Sequence, residues 1–307
     1  MKHKAIYIRL LLLTTLILLS IEINLFSQGT DISTGKQPGL FLGINMGLSQ
    51  SKIINTGTLS VENILIGKKS SFFGSIEFGY YFSDYFGLSS GVGFVSYKTQ
   101  ITLDAYQSNF NTIDSESESY EIRVTGTDIK ELQNIGYLSI PICLNIRIPF
   151  GEKIGFFIQP GVNIDVPLSK DYKSSGTFTY KGYYPAYNVL LENLPDYGFP
   201  SNLNSNDDGE LNLKSMGFDA VASAGFDFYI QRKLQIAVAA CYNKSLSGIS
   251  EYSSPDDFQL SSDPDEINSF MGGSTKATIQ SMGVKIMFRY YLKSAKKLST
   301  IAVKHCV

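Results

Sequence analysis

The chain has no tryptophan and only two histidines in 307 residues, His3 and His305. Imidazole is the usual base that activates a catalytic serine. An expected signal takes His3 and a tail holds His305, so no His-based triad can form. Cysteine is also scarce: Cys143, Cys241 and Cys306 are too few for a disulfide framework. Charged residues make up 18%, below the usual share of about a quarter. The 26 Lys+Arg and 28 Asp+Glu leave a net charge of −2, which argues against nucleic-acid binding through a basic face. Long apolar runs are missing too. Mean hydropathy is zero, whereas a polytopic helical membrane protein needs several runs of about 20 apolar residues. In their place come 27 Gly, 19 Tyr and 20 Phe.

Residues 1–27 read as a secretory signal. Lys2, Lys4 and Arg9 precede the apolar stretch 10–21, broken only by Thr14, Thr15 and Ser20. Cleavage is expected after Ser27. The stretch is too short for a comfortable helical span. Its removal takes three bases and Glu22, leaving a mildly acidic exported chain.

From residue 40 onward the dominant period is two. Leu138, Ile140, Ile142, Leu144, Ile146 and Ile148 alternate with Tyr137, Ser139, Cys143, Asn145 and Arg147. One face of a strand is thereby apolar and the other polar or small, where a helix would scatter both. The same alternation covers 40–48, 72–82, 86–94, 154–166, 216–228, 234–245 and 282–290. Eight strands are therefore expected. Short connections near 83–85, 149–153 and 231–233 take turns with long ones at 50–70, 98–134, 167–213 and 246–275. This is the pattern of an all-β, eight-stranded antiparallel up-and-down transmembrane barrel, whose short turns face the periplasm and whose long loops face outward.

Alternation alone does not separate such a barrel from a soluble sandwich, which buries its apolar face. Three features favour apolar side chains outside. The polar face is rich in Gly and Ser, which suits a narrow bore. The other face is apolar in all eight segments. Aromatics crowd the short-turn ends (Tyr80, Tyr81, Phe82, Tyr85, Phe86, Phe150, Phe228, Tyr229, Phe288, Tyr290, Tyr291), as at a lipid–water interface. The barrel is expected over 40–292, after a periplasmic segment 28–39 and before a basic tail 293–307 with Lys293, Lys296, Lys297 and Lys304.

Tyr137, Leu138, Ser139, Ile140, Pro141 and Ile142, the Gly/aromatic strand 72–81 and the final strand 282–290 resemble the outer membrane beta-barrel domain family of Bacteroidota (PorT-like proteins). The ending Phe26, Ser27, Gln28 of the signal is also similar to that group. The likeness covers about 40–292. It implies location in the outer membrane of a Gram-negative bacterium, contact with outer membrane lipid and, for some members, a link to protein secretion. It brings no catalytic residues and no cofactor. Such barrels commonly stop on an aromatic residue of the last strand, whereas here residues 292–307 follow Tyr291.

The inward-facing charges are Glu77, Arg147, Asp165, Asp219, Asp227, Lys285 and Arg289. Four acids and three bases nearly cancel, and the interior of an eight-stranded barrel is just wide enough for side chains to fill. A charge network plugging the bore is expected, with Glu77 reaching Lys285 or Arg289; a narrow ion path is the alternative. No catalytic, metal or cofactor set stands out. Loops at 109–121 and 246–274 are acidic, and Asn204, Asn206, Asp208 and Gly209 resemble the opening of a calcium loop with Ser215 where Glu belongs. The loop at 167–213 carries Tyr172, Tyr180, Tyr183, Tyr184, Tyr187 and Tyr197, suited either to binding a protein partner or to packing over the mouth. Cys143 and Cys241 point inward from strands too far apart to bridge. The functional expectation is a non-enzymatic structural or partner-binding barrel. An accessory barrel of a secretion system and a small passive channel are the alternatives.

Overall fold

The computed structural model describes residues 39–56, 64–151, 153–231, 233–251 and 258–292. The expected signal and periplasmic segment up to residue 38, the tail 293–307 with His305 and Cys306, and Asp256 and Asp257 lie outside the described residues. Ten strands follow one another: β1 (Gly39–Thr56), β2 (Ile64–Tyr81), β3 (Phe86–Ile113), β4 (Ser119–Pro149), β5 (Ile154–Tyr184), β6 (Val189–Glu192), β7 (Leu203–Glu210), β8 (Gly217–Gln231), β9 (Leu234–Ser245) and β10 (Lys276–Tyr291). Eight of them form an antiparallel ring in the order β1, β2, β3, β4, β5, β8, β9, β10 and back to β1. The eight-stranded barrel expected from the period-2 pattern is the one that forms. Closure pairs the backbone all the way round, which is what lets a sheet stand in hydrocarbon. β6 and β7 pair only with the upper part of β5.

Three of the expected long loops are corrected. Of 50–70, residues 50–56 continue β1 and residues 64–70 open β2. The region 98–134 is a hairpin, β3 running to Ile113 and β4 starting at Ser119. The first part of 167–213 is β5, and its end is β7. At about 3.3 Å per residue, the 31 residues of β4 reach roughly 100 Å along the strand, while about 9–11 residues cross a membrane. The upper half of the wall is therefore an extension standing clear of the lipid. The supposed calcium loop lies within β7, in ladder register with β5 from Asn204–Thr177 to Gly209–Tyr172, and is extended rather than looped around an ion.

The reason the sequence pattern stopped at about residue 95 is a reversal of sidedness. In β3 the outward residues Leu88 and Val92 are 55% and 50% exposed, while Ile101 and Leu103, on the inward side, are 1% and 0%. Outward positions pass from Phe86, Leu88, Val92 and Phe94 to Ser96, Lys98, Gln100 and Thr102; inward positions pass from Gly87, Ser89, Gly91 and Gly93 to Val95, Tyr97, Thr99 and Ile101. β1 changes between Leu48 and Gln50, β10 between Met282 and Gln280, and β4 between Leu138 and Gly136. Below this level the barrel turns apolar side chains to lipid. Above it, the barrel has water outside and a dry centre, as a soluble barrel does.

Candidate functional site: the closed bore

The bore is built in layers from the short-turn end upward. The floor is aromatic. Phe41, Tyr81, Tyr229 and Tyr291 stand on β1, β2, β8 and β10, with ring centroids 5.6–6.3 Å apart. Two guanidiniums lie on this floor, Arg147 at 4.9 Å from the Tyr229 ring and Arg289 at 4.8 Å from Phe41, in cation–π geometry.

The charged layer comes next. Arg289 donates from Nη2 and Nε to the two oxygens of Glu77, at 2.9 and 3.2 Å. Arg147 grips Asp227 with bonds of 2.7–3.0 Å from Nε and Nη2. Lys285 does not bond Glu77 but donates to Gln159 Oε1 at 2.7 Å. Gln159 in turn donates to Glu77 Oε1 at 3.0 Å and Asn145 Oδ1 at 3.1 Å, and Asn145 Oδ1 also accepts from Arg289. Five of the seven expected charges thus gather in this layer, Glu77, Lys285 and Arg289 in one cross-bore network through Gln159 and Asn145, and Arg147 and Asp227 as a separate pair. Gln159 and Asn145 are the members that the charge-based reading missed. Their inward parity was the available signal, since each shares a face with the charges of its strand.

Asp165 and Asp219 are not drawn into this network. Both are buried, and neither forms an ion pair among the described residues. They lie higher, beside Ser139 and Ser245 on neighbouring strands. Between the charged layer and this level is a cavity of about 130 Å³, lined by Ser75, Ser139, Cys143, Asn243 and Lys285 among others. Both described cysteines are free thiols. Among the described residues, no three His, Cys, Asp or Glu side chains converge to hold a metal.

Above the cavity, Leu211, Leu213, Ile249 and Met271 pack on Tyr97, Tyr137, Ile53 and Ile135 and close the mouth. The backbone N–H of Leu211 donates to Lys170 at 2.6 Å and that of Ile249 to Ala277 at 2.9 Å, tying the lid to the wall. Higher still, Phe270, Leu260 and Ile267 fill the centre of the extension with Ile101, Leu103, Ile129, Phe178 and Tyr180. The acidic segment 258–274 is therefore largely an internal lid. Glu131 anchors it, accepting from Ser269 Oγ at 2.8 Å, the Phe270 N–H at 2.9 Å, Ser174 Oγ at 3.0 Å and Gln133 Nε2 at 2.6 Å. Burial is the largest influence on this carboxyl and raises its pKa, against the pull of those donors.

The acidic turn 114–118 spends its charge on its own geometry. Asp114 Oδ1 accepts the N–H groups of Glu116 and Glu118, both at 2.9 Å, and the Glu118 bond above all holds its pKa low. The tyrosines of the third loop divide. Tyr180 is buried and Tyr172 packs on the lid core, while Tyr187 and Tyr197 are 60% and 75% exposed at the tip.

A family described as an outer membrane protein beta-barrel domain matches residues 26–251. A search of curated proteins gave no match. Similar solved structures include Neisserial surface protein A, at 11% identity and a TM-score of 0.35 over 84% of this chain and 100% of that one. OprG from Pseudomonas aeruginosa is 14% identical, with a TM-score of 0.37 over 84% of this chain and 99% of that one. The outer membrane protease OmpT from Escherichia coli is 8% identical, with a TM-score of 0.31 over 85% and 99%.

Proposed function

Because this chain belongs to the outer membrane protein beta-barrel domain family, and so resides in the outer membrane of a Gram-negative cell, we propose that it is a non-enzymatic, non-conducting barrel that presents a partner-binding tip to the exterior. The observation that carries this reading is a sealed bore beneath a folded extension with apolar side chains in water at its end. Tyr187, Tyr197, Val189, Leu190 and Leu194 are all exposed around the β5–β6 hairpin. Tyr184 bonds Asp114 at 3.1 Å and Tyr187 bonds Glu118, so the hairpin is braced against the β3–β4 turn. A braced tyrosine tip binds with little loss of entropy. Support for the non-enzymatic part is that the bore carboxylates Glu77 and Asp227 are held by Arg289 and Arg147.

Planar-bilayer recording of the purified protein tests the seal: no steady conductance is expected, and a steady open pore of porin size would overturn it. Serine at Tyr187, Leu190 and Tyr197 together tests the tip. Loss of cross-linking to a surface partner with protein export unchanged is expected. Loss of export on deleting 293–307, with the tip dispensable, would favour the secretion-accessory role instead.

A further inference from the structure

The outer wall carries a charge feature that the bore does not explain. Just above the level where outward side chains stop being apolar, three adjacent strands hold four lysines: Lys52 on β1, Lys68 and Lys69 on β2, and Lys98 on β3. Lys69 stands opposite Ser51 and Lys68 opposite Thr99, which both face inward, but the register of β2 shifts between Lys68 and Phe73 and residues 67–70 are all exposed there, so the β2 pair turns outward between the other two. With strands about 4.8 Å apart, the cluster spans roughly 10 Å. Lys68 and Lys69 are exposed; Lys52 and Lys98 are half-buried along the wall. None of the four forms an ion pair among the described residues, whereas Lys170 and Lys181 pair with Glu210 and Glu192 at 3.3 and 2.6 Å.

We infer that Lys52, Lys68, Lys69 and Lys98 form a docking face for the phosphorylated headgroup of an outer-leaflet lipid. The last outward apolar residues beneath them are Leu48, Phe72 and Phe94, each exposed or half-exposed. The lysines lie three or four residues further along each strand. At about 3.3 Å per residue on a strand tilted by about 40°, that is roughly 8–10 Å of height. This is the headgroup zone, which adds about 5–8 Å to each side of the hydrocarbon core, and lysine stems extend along the wall to reach it. Phe72 and Phe94 sit directly below as a tilted pair with centroids 5.6 Å apart, placed to contact acyl chains while the ammoniums meet the headgroup.

The face has an edge. Beyond Lys98 a groove of about 410 Å³ is lined by Asp171, Lys173, Asp208 and Glu210 as well, and there the acids outnumber the bases. An anionic headgroup is therefore confined to the β1–β3 side. Repulsion among four unpaired ammoniums over that span is relieved by a ligand with more than one phosphate, which selects a multiply phosphorylated lipid over a neutral one.

The test uses the full chain in neutral detergent, with native mass spectrometry and bisphosphorylated lipid A as the probe. Wild type, and a control changed at Lys130, Lys170, Lys173 and Lys276 to Gln, should retain the probe. The variant K52Q/K68Q/K69Q/K98Q should lose it by at least about tenfold, and K52R/K68R/K69R/K98R should keep it. The milder K68Q/K69Q, at two exposed positions, should lose part of it and serves if the fourfold variant fails to fold, as judged by its heat-dependent gel shift. Equal retention by wild type and the Gln variants would overturn the inference. So would equal retention of a dephosphorylated lipid A, or full displacement by millimolar inorganic phosphate, which would mark a site for free phosphate rather than lipid.

Discussion

Glu77 and Arg289 meet at 2.9 Å in the bore although they lie on β2 and β10, with β1 between them. Gly43 stands opposite both in the ladders. A Cβ there would sit 3.1 Å from Arg289 Cγ and 3.5 Å from Glu77 Oε2, so the missing side chain lets the pair close across a strand.

Both ions are buried, at 2% and 1% exposure, so removing either one strands a charge. Glu77→Ala or Arg289→Ala should cost about 3–5 kcal/mol each. Glu77→Gln combined with Arg289→Met should cost clearly less than the two alanines together. Urea unfolding in micelles, read by the gel mobility of the folded band, measures this. Additive losses would show that the two residues act independently.

The lid should open separately from the barrel. Phe270 is 1% exposed within the upper core, and truncation of such a phenylalanine costs about 3–5 kcal/mol. Phe270→Ala should make 258–275 sensitive to protease added outside cells while the heat-dependent shift of the barrel persists. Loss of the shift would mean that lid and barrel fold as one unit.

Glu131 gives the lid a pH dependence. Its folded-state pKa is raised above the ordinary carboxylate value, chiefly by burial. The folded state therefore holds the proton more tightly. That contribution is fully present below the ordinary value and is lost as pH rises through the raised one. Protection of the Phe270 amide against hydrogen exchange, corrected for intrinsic rates, should fall between acid and neutral pH in the wild type. In Glu131→Gln the fall should be absent. An equal fall in the variant would assign the dependence to another group. Glu131→Ala leaves the Phe270 N–H without its acceptor and should weaken the lid by about 1–3 kcal/mol at any pH.

The membrane-facing half of the barrel was legible because lipid imposes one chemistry on every outward position. Leu40, Leu42, Ile44, Met46 and Leu48 in β1 need no partner to declare their side. The extension was not, because water replaces lipid there and the apolar residues move to the other parity. Tyr97, Ile101 and Leu103 continue β3 without a break, yet a search for outward apolar residues ends at Phe94. The charges of the bore were visible by parity, while their pairing was not. Asn145 and Gln159 are neutral and gave no charge signal. Whether Glu77 would meet Lys285 or Arg289 depends on the registers of β1, β2 and β10, which alternation leaves free.

The reversal along β3 tests the account most directly. Nitroxide labels are placed through Leu88→Cys, Val92→Cys, Lys98→Cys and Thr102→Cys in a chain with Cys143, Cys241 and Cys306 replaced by Ser. In lipid vesicles, collision with oxygen should dominate at the first two positions and collision with a water-soluble nickel chelate at the last two, with a single step between Val92 and Lys98. Water contact at Leu88, or lipid contact continuing through Thr102, would contradict it.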